Sequence, residues 1–186
     1  ETTYRFPMDI INLSSNFILK NPNQIKKNLK STNPDMSRAF ELVYGTEKTL
    51  IRELKKRLDS LPSKSNVLFL VRYLTDINNY LDYHLKLQNS SLQYSMRKDL
   101  KIEFMTIHGS KGLQADYVFI LNNLKDKHGF PSNITDDPVL GLVLQEEEDY
   151  PYAEERRLFY VALTRAKKFV FLMVEKTNKS VFIREI

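Results

Sequence analysis

Two blocks of this sequence carry residues whose types and spacing can do chemistry. The first, MTIHGSKGLQADYVFI (Met105 to Ile120), holds Lys111 beside Gly109 and Gly112, just after Thr106 and His108. The second, AEERRLFYVALTRAKKFVFL (Ala153 to Leu172), holds Arg156, Arg157 and Arg165. Each joins a charged or glycine-bearing turn to a β-branched, aromatic run. Cations placed where strands end and helices begin are what a polyphosphate or a nucleic-acid backbone requires, because guanidinium forks and free backbone N–H groups both satisfy phosphate oxygens. Gly109-Ser110-Lys111-Gly112 is not itself a P-loop. The G-x-x-x-x-G-K-[ST] pattern occurs nowhere in the chain, and no Asp-Glu pair follows an apolar strand in the Walker B manner. The cations therefore belong to half of a phosphate-handling site. Arg156 and Arg157 can equally serve as salt-bridge partners of Glu154 or Glu155. The acidic run Glu146 to Asp149 could hold Mg²⁺ but reads as a solvated loop.

Such residues need a scaffold, and the hydrophobic pattern predicts one. Met8 to Lys20 has helical spacing through Ile10, Ile11, Leu13, Phe17 and Ile18, and Asn21-Pro22 breaks it. Phe40 to Tyr44 is a strand. Thr46 to Leu61 is an amphipathic helix with Leu50, Ile51, Leu54 and Leu58 on one face, and Pro62 to Asn66 is a turn. The uninterrupted Val67 to Val71 reads as a strand buried on both faces. Leu74 to Leu87 is predicted helical. Ile102 to Ile107, Tyr117 to Leu121 and Phe169 to Val174 are strands, and Glu154 to Thr164 is a helix. Asn122 to Tyr152 is a long polar loop. Strands alternating with helices imply an α/β fold, a mostly parallel sheet with helices on both faces. Ligands of such sheets sit beyond the C-terminal strand ends, where Lys111 and Arg72 fall on this reading.

The remaining composition narrows the class. At 186 residues the chain is one domain spanning 1–186, long enough for a sizeable core. Hydrophobic residues at 42% and charged residues at 27% are ordinary globular values. No run is apolar enough to span a bilayer and no signal pattern opens the chain, so no membrane partner is expected. The absence of cysteine excludes disulfides and thiolate metal sites and fits a cytoplasmic protein. A net charge of +5 permits an anionic partner. The opening Glu1-Thr2-Thr3-Tyr4-Arg5 has no start methionine and reads as part of a longer chain.

Six words, in order, carry a resemblance: TTYRF (Thr2 to Phe6), NPNQIKK (Asn21 to Lys27), FLVRY (Phe69 to Tyr73), MTIHGSKGLQADYV (Met105 to Val118), GFP (Gly129 to Pro131) and AEERRLFYVALTRA (Ala153 to Ala166). They resemble the second RecA-like motor domain of UvrD/Rep/PcrA-type superfamily-one DNA helicases, most closely the helicase IV-like branch. The resemblance implies a RecA-like P-loop-NTPase fold and the C-terminal motor half of an ATP-dependent 3′–5′ DNA helicase. ATP and Mg²⁺ would lie in a cleft shared with an N-terminal RecA-like domain, which supplies the P-loop and the acidic metal ligands; this chain would hold no metal alone.

By the same resemblance, Arg165 in Thr164-Arg165-Ala166 and Arg5 in Tyr4-Arg5 match the catalytic arginines that reach the γ-phosphate. Tyr4, Gln114 and Gly112 fall in the nucleotide-binding set. Tyr4 matches a tyrosine that stacks on adenine, and a buried tyrosine anchoring the first helix is the equal alternative. Gln114 stands where the family more often has a ribose-touching glutamate. Thr106, His108 and Lys111 match residues that grip single-stranded DNA, although a lone histidine such as His108 is more often structural. Arg72 matches a DNA-contacting arginine and equally suits a loop or helix-capping role. Larger relatives insert a whole domain between the FLVRY and MTIHGSKG words, whereas only Leu74 to Lys101 lies there in this chain. The alternative function is a helicase-like ATPase that remodels a protein assembly such as RNA polymerase without unwinding DNA.

Overall fold

The apolar runs pair into a sheet whose strand order sets the edges on which the candidate residues fall. The computed structural model describes residues 2–3, 7–25, 30–31, 38–88, 91–126, 129–132 and 150–186. Tyr4, Arg5 and the Glu146 to Asp149 run lie outside the described residues. The strands are β1 (Thr2–Thr3), β2 (Lys30–Ser31), β3 (Phe40–Gly45), β4 (Asn66–Val71), β5 (Leu85–Gln88), β6 (Ser91–Tyr94), β7 (Lys101–Thr106), β8 (Ala115–Ile120) and β9 (Ala166–Glu175). The helices are α1 (Met8–Ile18), α2 (Glu47–Ser60), α3 (Ala153–Leu163) and the short α4 (Val181–Glu185), with 3₁₀ turns at Leu74–Tyr80 and His108–Ser110. β1 and β2 form a small parallel pair, and the main sheet runs β3-β9-β8-β4-β7-β6-β5. Pairs from β3 through β7 are parallel, and β5 and β6 add an antiparallel hairpin.

Both faces of the parallel strands are covered, as such strands require. One face packs Leu68, Leu70, Val118, Ile120, Val170 and Leu172 against α1, α3 and α4. The rings of Phe17, Phe130, Phe159 and Phe182 interlock there at centroid distances of 4.9–5.9 Å. The other face packs Phe69, Phe119 and Phe171 against Leu50, Leu54 and Leu58 of α2. Thr46 starts α2, its N–H donating to the Thr49 hydroxyl at 2.8 Å, which satisfies one of the orphan donors of a helix start.

Two predicted elements differ. Leu74 to Leu87 is not one helix but a 3₁₀ turn followed by β5. The Asp82 carboxylate accepts from the N–H groups of His84 and Leu85 at 2.9 and 3.0 Å, a turn that redirects the chain. Leu85 and Leu87 then pair with Tyr94 and Leu92 at period two. Within the predicted polar loop Phe130 is fully buried, and its carbonyl accepts from the Ser180 hydroxyl at 2.5 Å.

Candidate functional site

The candidate residues divide between two edges of the parallel strands. Arg72 follows β4 and Thr106 is the last residue of β7, in register with Val71, so they mark the C-terminal edge. Arg165 and Gln114 precede β9 and β8, and the Ala115 N–H donates to the Arg165 carbonyl at 3.1 Å. They mark the N-terminal edge. The segment from Ile107 to Gln114 crosses between the two.

That crossing is a series of tight turns. Ile107 carbonyl accepts from the Ser110 N–H at 3.1 Å and from its hydroxyl at 2.6 Å, and Leu113 N–H donates to Ser110 carbonyl at 3.0 Å. Thr106 Oγ1 accepts from the Gly109 N–H at 3.2 Å, so its hydroxyl anchors the first turn. Gly112 has φ +87°, where a side chain is strained, although nothing lies within 4 Å of the space a Cβ would take. His108 and Lys111 are exposed on this segment, and Gln114 is half-buried beside the Ala115 to Arg165 backbone bond.

Arg165 is half-buried and its direction is fixed. Nε donates to Val161 carbonyl at 3.0 Å, Nη1 to Ser110 and Leu113 carbonyls at 3.4 and 3.3 Å, and Nη2 to Thr164 Oγ1 at 3.4 Å. A cation at the last carbonyls of α3 also suits the helix dipole. Thr164 closes the same helix end, its hydroxyl donating to Tyr160 and Val161 carbonyls at 3.0 Å. Burial pushes the Tyr160 phenol up, and the positive charge of Arg165 works against that shift. One guanidinium thus ties the TRA word to the HGSKGL segment.

Arg72 is held at the other end of α3. Its Nε and Nη2 approach Glu155 Oε1 at 2.8 and 2.7 Å, with the two side chains 18% and 11% exposed. Glu155 Oε2 accepts from the Ser132 N–H at 3.0 Å. This contact joins Arg72, just after β4, to the start of α3. Glu155 carries this contact, and sequence reasoning assigned it no such role; its place in the first turn of a helix was the available signal, while Arg72 lies 83 positions away.

The adjacent arginines of AEERR part company. Arg156 is 5% exposed and meets both carboxylate oxygens of Glu185 at 2.7 and 2.6 Å. Arg157 pairs with Glu154 at 3.0 Å on the surface, as one reading expected. Among the described residues no cluster of three or more His, Asp or Glu side chains is arranged to hold a metal ion. No helix among them is long and apolar enough to cross a membrane.

The mostly parallel α/β sheet thus places Arg165 and Gln114 at one edge and Arg72 and Thr106 at the other. The chain belongs to the UvrD-like helicase C-terminal domain family, whose sequence model matches residues 49–177. It is 37% identical to DNA helicase IV of Escherichia coli K12 over 183 residues, covering 98% of this chain and 25% of that protein. It is 32% identical over 147 residues to the ATP-dependent DNA helicase Rep of Buchnera aphidicola, covering 74% of this chain and 19% of that one. The chain thus spans a quarter or less of the length of these curated relatives. Its fold matches the crystal structure of the C-terminal domain of a possible DNA helicase from Lactobacillus plantarum WCFS1, with TM-score 0.56 and 12% identity over 99% of this chain and 94% of that one.

Proposed function

We propose that residues 1–186 act as one domain, the second motor half of an ATP-dependent 3′–5′ DNA helicase or translocase. An N-terminal RecA-like domain supplies the P-loop and the carboxylates for Mg²⁺, neither of which this sequence offers. Arg165, with Arg5, presents positive charge to the terminal phosphate of ATP across the cleft. Tyr4, Gln114 and Gly112 lie toward the nucleotide. Thr106, His108, Lys111 and Arg72 contact single-stranded DNA, Arg72 from its place beside Glu155.

The observation that carries this reading is the fixed direction of Arg165. The carbonyl oxygens of Val161, Ser110 and Leu113 and the Thr164 hydroxyl hold it in that direction. An oriented guanidinium lowers the barrier by meeting charge that grows on the transferring phosphoryl group, and such fingers are worth about 10³–10⁵ in rate. Because Ser110 and Leu113 share that guanidinium with α3, movement at the nucleic-acid edge reaches it through the Ile107 to Gln114 crossing.

The test is ATP hydrolysis by the protein joined to its P-loop domain. Arg165→Ala is expected to reduce turnover by about 10³ or more while changing ATP binding far less, since the arginine acts on the transition state. Arg5→Ala should do the same without adding to it. Lys168→Ala, a surface residue near Asp116 at 3.4 Å, is the control. Near-normal turnover in folded Arg165→Ala protein refutes the assignment. Hydrolysis indifferent to DNA, with no strand displacement, transfers the protein to the assembly-remodelling alternative. The 186-residue chain alone should not hydrolyse ATP.

A further inference from the structure

The hairpin β5–β6 carries a surface that the motor reading does not use. Its inward face is core, with Leu85, Leu92, Tyr94 and Ile102 buried. The alternate residues form the other face: Lys86 is opposite Gln93, Gln88 opposite Ser91, and Ser91 opposite Glu103 of β7. The described residues place neither α1 nor α3 against these positions. A cavity of about 660 Å³ opens here, bordered by Tyr83, Lys86, Gln88, Gln93, Lys98 and Lys101.

The chemistry of the lining selects its ligand. The border holds four cations, Lys86, Arg97, Lys98 and Lys101, and one carboxylate, Glu103. Glu103 answers Lys101 at 2.7 Å, and Asp99 answers Arg97 at 2.9 Å. Lys86 and Lys98, both exposed, remain as the positive excess. Amide and hydroxyl side chains stand between them at strand spacing, offering both donors and acceptors. At the mouth the Tyr83 ring is 79% exposed, with Lys86 Nζ 4.6 Å from its centroid. Cations that follow a backbone, plus an open ring on which any base can stack, form the usual surface for single strands. An acidic peptide would use the lysines but gives the ring and the amides no equivalent task. β7 links this face to Thr106, about 17 Å along the strand.

We infer that the open face of the β5–β6 hairpin is a second contact for single-stranded nucleic acid, with Lys86 and Lys98 on phosphates and Tyr83 under a base. It depends on the motor reading only for the first contact, at Thr106 to Lys111.

Fluorescence anisotropy of the 186-residue chain with labelled oligothymidylate of about 16 nucleotides tests it. The double variant Lys86→Glu/Lys98→Glu should weaken binding about tenfold and flatten the salt slope by about 1.4, since each single-strand phosphate contact contributes about 0.7. Tyr83→Ala should weaken binding about five- to tenfold with the salt slope unchanged. All three side chains are exposed, so folding is not at issue. Lys111→Glu reports the first contact separately. If only Lys111→Glu weakens binding, the hairpin inference falls and the motor reading stands. If only the hairpin variants weaken it, the inference stands and the edge assignment falls. No binding by the wild-type chain overturns both. Displacement of the oligonucleotide by polyglutamate, with Tyr83→Ala unaffected, makes the face an acidic-peptide site and overturns the inference.

Discussion

Arg156 and Arg157 are neighbours of identical chemistry, and replacing each by alanine should produce very different proteins. The Arg156 side chain is 6% exposed, and Glu185, its partner, is 25% exposed. Its fork donates to both Glu185 oxygens, its Nε donates to Pro151 carbonyl at 3.1 Å, and its carbon centre lies 5.0–5.2 Å from the ring centroids of Phe17, Tyr150 and Phe182. Removing one partner of a buried pair costs about 3–5 kcal/mol. Glu185 can recover some hydration at its exposure, which favours about 3 kcal/mol, and the lost ring contacts add about 1 kcal/mol. Arg157 and Glu154 are 42% and 63% exposed, a surface pair worth about 0–1 kcal/mol. Urea unfolding of the chain, followed by far-UV circular dichroism, reads both. With a denaturant slope of about 3 kcal/mol per molar, Arg156→Ala should lower the midpoint by about 1.3 M and Arg157→Ala by less than about 0.3 M. Arg156→Lys should fall between, because it keeps the charge and loses the fork. Equal midpoints for the two alanine variants would refute the reasoning.

Tyr80 is 2% exposed and burial pushes its phenol well above the ordinary value, with the Asn122 N–H on its oxygen at 3.4 Å pulling the other way. The unfolded chain therefore ionises first. This contribution is complete below pH of about 10 and is lost as pH rises, by about 1.4 kcal/mol per unit; urea midpoints at alkaline pH should fall, and Tyr80→Phe should flatten the fall. Gly112→Ala meets open space but a positive φ and should cost about 1 kcal/mol. Gly129→Ala would place its Cβ 2.1 Å from the Leu124 carbonyl oxygen and should cost several times more, measured by the same unfolding curves.

Much of the scaffold was legible because its signals are local. Val67 to Val71 was a continuous apolar run, and it became the central β4. Thr46 before Leu50, Leu54 and Leu58 gave both the start and the buried face of α2. The hairpin was missed because Ile77 and Tyr80, three apart, imitate a helix, and the alternation that marks β5 only becomes decisive with its partner Leu92 and Tyr94 in view. The site divides the same way. The TRA and HGSKGL words are visible as words, but their junction through the Arg165 guanidinium joins residues 55 positions apart. Nothing local distinguishes Arg156 from Arg157, since Glu185, 29 positions on, makes the difference. Ion pairs between distant elements leave no periodicity to read.

β4 and β7 lie side by side in parallel, yet the chain spends residues 72–100 travelling between them. The hairpin in that interval hangs from the outer edge of the sheet and supplies none of the pairs that β4 makes with β7 and β8. The interval is therefore a port. Chain can be spliced in between Gln88 and Ser91 while the parallel strands keep their neighbours, so a reporter domain or a permuted pair of termini placed there should leave the arginine edge undisturbed. A lineage enlarging this protein would find the same opening.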